Sequence, residues 1–138
     1  MGLTDYSDME SEIADAKEPT VLPRGSEVLV RIIGVNSGVS DKNDCQWYQP
    51  LYEVPDDPMV VEFNDFMWEL DKEKLTDKQY ARSLRQFQEF AACFSLDYSR
   101  PFSWEDDLIG LTGWLIVGVK KDDEYGDKNT RSKYMVKK

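Results

Sequence analysis

LIGLTGWLIVGVKKDDEYGDKNTRSKYMVKK, residues 108–138, is the stretch from which the rest of the chain is best read. Within it Trp114, Ile116 and Gly118 alternate with Leu115, Val117 and Val119. A nearly continuous apolar run of this length is too short to span a membrane and fits a buried strand, so Trp114 is expected in the core. The chain then turns polar through Lys120, Lys121, Asp122, Asp123 and Glu124, passes Tyr125, Gly126 and Asp127, and resumes a weak alternation at Thr130, Ser132, Tyr134 and Val136. Two strands around a polar, glycine-bearing turn read as a long hairpin. From 118 to 138 it carries seven Lys or Arg against four Asp or Glu, in a protein whose formal net charge is -10. A locally cationic hairpin in an acidic chain is the first pointer to function.

The bulk numbers set the frame for that hairpin. A chain of 138 residues suits one domain, and at this size folding buries about 70% of the surface exposed by the unfolded chain. With 41% hydrophobic residues and a mean hydropathy of -0.59, a real core and a soluble protein are expected, with no membrane association. The amino terminus shows neither a basic nor an apolar signal region, so a cytoplasmic location is expected. Cys45 and Cys93 stand 48 residues apart without a histidine in the chain, which argues against a zinc site and leaves two readings, two ordinary thiols, which the cytosolic expectation favours, or one disulfide between them. The absence of histidine also weakens an enzyme reading, because general acid-base and nucleophilic sites lean on it. No cofactor and no catalytic residue is expected.

Residues 1–20 hold six acids (Asp5, Asp8, Glu10, Glu12, Asp15, Glu18) and one base, Lys17, with Leu3, Tyr6, Met9 and Ile13 as the sizeable apolar groups. They read as a flexible or weakly helical acidic arm, ahead of a domain over 21–138. Behind a turn at Leu22-Pro23-Arg24-Gly25, residues 27–35 (EVLVRIIGV) are a β-branched first strand. Gly34 marks a bend, and a polar loop follows. In the second strand, beginning near Gln46, Trp47, Gln49, Leu51 and Glu53 point one way and Tyr48, Tyr52 and Val54 the other, with Pro50 suggesting an edge or bulge. Residues 59–64 make a third strand that can extend through Phe66 and Trp68. Thr76-Asp77-Lys78-Gln79 is a capping box, and Tyr80, Leu84, Phe87, Ala91 and Phe94 recur as one apolar stripe with Phe90 alongside, expected as core. Three strands, a helix and two strands, too few for a two-sheet sandwich, fit a mainly β protein with one helix. The expected fold is a five-stranded OB-fold barrel with the helix between strands three and four.

Several marks together carry a resemblance: Tyr6-Ser7 near the acidic start, the Leu22-Pro23-x-Gly25 turn, the aromatic helix from Phe87 to Phe94, and the run from Asp107-Leu108-Ile109-Gly110 through Val117 and Val119 to Tyr125-Gly126, Asn129 and Tyr134. With these the chain resembles a family of small phage single-stranded DNA-binding proteins with an OB-fold, formerly described as a phage domain of unknown function. The resemblance implies a non-catalytic protein that coats single strands in DNA replication, recombination or repair.

Single-strand binding needs a cationic groove for phosphates and aromatic faces for base stacking, with little sequence preference. On an OB-fold that face is strands two and three with the flanking loops. The expected stacking residues are Trp47, Tyr48, Tyr52 and Phe63, with Tyr125 at the hairpin tip. The expected phosphate contacts are Arg31, Lys42, Lys120, Lys121, Lys128, Arg131 and Lys133. Against this, residues 41–80 hold eleven acids and four bases, so charge must be segregated by face. The arm reads as a solubilising tail, an internal competitor for the groove, or a handle for replication or recombination proteins. A homodimer through a sheet edge is compatible with the sequence. One rival is an acidic OB-like interaction module that binds a basic host or replication protein. Another is a metal-dependent nuclease using Glu62, Asp65, Asp106 and Asp107, although such loose carboxylate spacing is common on any acidic surface.

Overall fold

The computed structural model describes residues 2–124 and 126–136. Its centre is a thirteen-residue strand, β1 (Glu27–Val39), four residues longer than the sequence pattern suggested. Val28, Val30 and Ile32 alternate inward, and the register then shifts between Ile32 and Gly34. At that bend β1 exchanges partners. Its first part pairs antiparallel with β5 (Thr112–Lys120), from Glu27↔Ile116 to Arg31↔Thr112. Its remainder pairs with β2 (Gln46–Glu53), from Arg31↔Glu53 to Val39↔Gln46. One long strand thus spans two halves of a curved sheet, and a bulge supplies the bend.

The third strand is interrupted. β3 (Phe63–Asn64) and β4 (Met67–Trp68) both pair with β2 in one register, Leu51↔Asn64 on one side of the break and Tyr48↔Met67 on the other. Opposite the break lies Pro50. Its carbonyl accepts from the Asp65 amide at 2.9 Å, but it has no N–H to return the bond, so the ladder lapses. With β6 (Lys128–Tyr134) beside β5, the sheet has six strands among the described residues rather than five, in the order β3-β2-β1-β5-β6 with β4 also on β2. It is an open antiparallel sheet, which corrects the expectation of a closed barrel. No backbone ladder joins β6 to β3 among the described residues, because side chains fill the seam. Asp65 there accepts from Arg131 and from the Tyr52 and Tyr134 hydroxyls.

Helix α2 (Asp77–Phe94) packs on the inner face. Its capping box forms as read: the Gln79 amide donates to Thr76 Oγ1 at 3.1 Å and the Thr76 amide to Gln79 Oε1 at 3.0 Å. Phe90, Cys93 and Phe94 join Val30, Ile32, Tyr52, Leu115 and Val117 in the core. The contact is close at Gly113, where a Cβ would lie 2.8 Å from Cys93 Sγ. Only the carboxyl-terminal half of α2 is well covered, so the expected core stripe is partly wrong: Leu84 is exposed, Tyr80 and Phe87 are half-buried, and Ser83 is buried instead. Trp114 is also corrected, at 40% exposed. Leu115 and Val117 face the helix, while Trp114 lies on the other face of β5, where no helix is packed. Both cysteines are buried, and no disulfide joins them. No helix among the described residues is long and apolar enough to cross a membrane.

Candidate nucleic-acid interface

The alternation in β2 divides the predicted stacking residues into two groups. Tyr48, Pro50, Tyr52 and Val54 turn inward, and Trp47, Gln49, Leu51 and Glu53 outward, as the sequence reading had it. Tyr52 is fully buried, stacked on Phe94 at 5.7 Å and edge-on to the equally buried Phe63 at 5.5 Å. Tyr48 lies parallel to Trp104, centroids 4.2 Å apart, and donates its hydroxyl to Glu69 Oε2 at 2.5 Å. Burial first, then that carboxylate, pushes the Tyr48 phenol well above its ordinary range. Tyr48, Tyr52 and Phe63 are therefore core residues and offer no face to a base. Tyr125 lies outside the described residues.

Trp47 remains, and it has company that the sequence reading left unassigned. Cross-strand pairing places Trp68 opposite Trp47, and Phe66 sits against both, 6.0 Å from Trp47 and edge-on to Trp68 at 5.0 Å. Phe66 is 40% exposed, and both tryptophans keep part of their surface open. The parity of β3 and β4 explains the cluster: Phe63, Asp65 and Met67 go in, so Asn64, Phe66 and Trp68 come out. Trp47 lies directly over Gly38 on the neighbouring strand, where a Cβ would come within 2.4 Å of its Cζ2. Glycine is needed there for close approach. On the far side the Gln86 side-chain amide donates to the Phe66 carbonyl at 2.9 Å, tying α2 to the rim of the cluster. The result is a three-ring platform on the outer face of the sheet, braced from beneath and from the side.

The predicted cations do not gather at this platform. Arg31 is paired across the strands with Glu53, with Nε 2.7 Å from Oε1. Arg131 is held in the structure: Nε and Nη2 both reach Asp65 at 3.1 Å, and its guanidinium lies 4.4 Å above the Tyr134 ring. Lys120 and Lys128 are register neighbours in the β5–β6 hairpin, with Lys121 next in sequence. That hairpin leaves the sheet where β1 begins, near the bond from Gly25 N–H to Val117 O, whereas the platform lies where β1 ends. Lys133 is opposite Ile116, further along β6. Lys42 is exposed in the turn between β1 and β2, the one predicted cation at the platform end of the sheet. Lys74 joins it there, with Nζ 3.1 Å from the Asp44 carbonyl.

Three of the four carboxylates weighed as a nuclease site have local structural partners. Asp65 is 7% exposed and bound to Arg131 and two tyrosines. Asp106 and Asp107 accept from Ser103 in a loop turn, the latter from its amide at 2.7 Å. Glu62 is exposed. Among the described residues no cluster of three or more Cys, Asp or Glu is placed to hold a metal ion. Compared with protein-family models, with curated proteins and with solved structures, the chain matches none.

Proposed function

We propose that this protein binds single-stranded nucleic acid on the outer face of β2 and β4, as a non-catalytic, phage-type single-stranded DNA-binding protein acting in the cytoplasm in replication, recombination or repair. The Trp47–Phe66–Trp68 platform carries this reading. Three large rings held partly open on a braced sheet expose apolar surface that a folded chain would otherwise bury, and π-faces of this kind take bases of any sequence. The topology supports it. A long bent strand shared by two half-sheets, a helix after the third strand, and the Arg131–Asp65 pair between β6 and the β3–β4 break are features that an OB-type reading calls for. The exposed lysines of the β5–β6 hairpin supply backbone contacts to a longer strand that runs beyond the platform.

One observation favours a second reading, an acidic interaction module with a basic protein partner: two of the seven predicted phosphate contacts, Arg31 and Arg131, are already held by carboxylates. Titration of intrinsic tryptophan fluorescence with oligo-dT and with duplex DNA, at two salt concentrations, separates the two readings. Strand binding gives quenching by oligo-dT alone, weakening with salt at a slope of about -0.7 per phosphate neutralised. No response to either nucleic acid at low salt removes strand binding and leaves the interaction module.

A further inference from the structure

The amino-terminal arm has an apolar face with no cover. Asp5 accepts from the Ser7 amide at 2.9 Å, a 3-10 turn (Ser7–Met9) follows, and α1 (Glu10–Ala14) continues it. Met9 and Ile13, four residues apart, lie on one side of this helical stretch, and Leu3 and Tyr6 precede it in the same arm. All four are exposed, from 42% at Met9 to 101% at Leu3. The turn and α1 touch each other and no other helix or strand. A helix this short is marginal on its own, so a surface that covers the apolar side would also complete the helix.

The folded domain presents a surface of matching character. Between α2 and β6 runs a groove of about 590 Å³ lined by Ala92, Ile116, Met135 and Val136, with Arg85 and Lys133 among its charged residues. Glu89 also lines it, bound to Arg85 at 2.6 Å, which leaves a local excess of one positive charge in a chain of net -10. The arm brings six acids and one base. The arm does not occupy the groove of its own chain. Thr20 is fixed to the segment just before β3 by bonds from its amide to Met59 O at 2.7 Å and from the Val61 amide to its own carbonyl at 3.0 Å. From that anchor the helical segment projects without contact to α2 or β6.

We propose that the arm of one copy docks in the α2–β6 groove of a second copy. Met9 and Ile13 enter against Ile116 and Val136, and the acids face Lys133 and Arg85. Each copy offers one arm and one groove, so the contact is heterologous and repeats head to tail. This inference does not depend on the strand-binding reading.

Sedimentation velocity of the full chain over a range of concentrations, at low and high salt, provides the test. Wild type should gain mass with concentration, less so at high salt. Ile13→Glu should weaken association by at least about tenfold, the value of one buried aliphatic side chain. This residue is exposed in the monomer, so the variant does not threaten the fold. Val136→Glu should do the same from the groove side. An equimolar mixture of the two variants retains one intact arm and one intact groove, and should stop at dimers. A monomer at every concentration overturns the proposal, as does an Ile13→Glu variant that associates like wild type or a mixture that grows beyond dimers.

Discussion

Replacing Asp65 with alanine removes the carboxylate that holds β6 against the break between β3 and β4. In the folded chain its side chain is 5% exposed and the partner Arg131 side chain 23%. It also accepts from the Tyr52 hydroxyl at 2.8 Å and from Tyr134. Deleting one partner of a buried ion pair costs about 3–5 kcal/mol, because the other charge is left without compensation. Arg131 keeps some contact with water, which moves the ion-pair part toward about 3 kcal/mol. Two phenols that lose their acceptor add about 1 kcal/mol each where they remain buried. A loss of about 3–5 kcal/mol is a large share of the about 5–15 kcal/mol that such a domain has in total. Urea unfolding followed by tryptophan fluorescence should show the midpoint fall by more than about 1 M with the slope unchanged. In a cycle with Arg131→Met, the double variant should lose at least about 1 kcal/mol less than the sum of the single losses. A loss below about 0.5 kcal/mol, or strict additivity, would show that this seam does not hold the sheet together.

The same cluster makes the protein sensitive to alkali. Burial first, then the Asp65 charge, raises the Tyr52 and Tyr134 phenols well above their ordinary value, and Tyr48 is raised by burial and Glu69. Above about pH 10 the unfolded chain releases phenol protons that the folded chain keeps, so stability is full below that pH. It then falls by up to about 1.4 kcal/mol per pH unit for each tyrosine. Urea midpoints measured across the alkaline range should show this fall, with a shallower slope for Tyr48→Phe; a flat profile to pH 11, roughly one unit above the unfolded phenol value, would contradict it. Gly38→Ala should shift the tryptophan emission maximum and weaken oligo-dT binding while leaving far-UV circular dichroism intact, since the new methyl displaces Trp47. Thr76→Ala should lower stability by about 1 kcal/mol through loss of the α2 cap, read as a urea midpoint shift.

Local patterns in the sequence were legible where one element decides them. The inward and outward faces of β2 follow from strict alternation, and the α2 start follows from Thr76 and Gln79. Properties set by a distant partner were not. Arg31 and Arg131 look like free cations until the fold brings Glu53 and Asp65 to them, 22 and 66 residues away in sequence. Trp114 reads as core because its run is apolar at nearly every position, and only the placement of α2 shows which face is covered. Phe66 and Trp68 were visible as an extension of the third strand. Their signal is the alternation of Asn64, Phe66 and Trp68 with the inward Phe63, Asp65 and Met67. The interruption at Pro50 obscured it, because it divides one strand into two short ones whose shared register appears only when paired with β2.

The affinity of labelled oligo-dT for wild type and for Trp68→Ala, measured by fluorescence anisotropy at low salt, bears on strand binding at its chief residues. Trp68 is half-buried on a two-residue strand and lies outside the core cluster, so its removal should leave the fold in place. Base stacking of about 1–3 kcal/mol then predicts binding weakened by about 5- to 150-fold, with a similar loss for Trp47→Ala. Equal affinity in wild type and both variants, or no binding by wild type, would contradict the platform as a nucleic-acid interface.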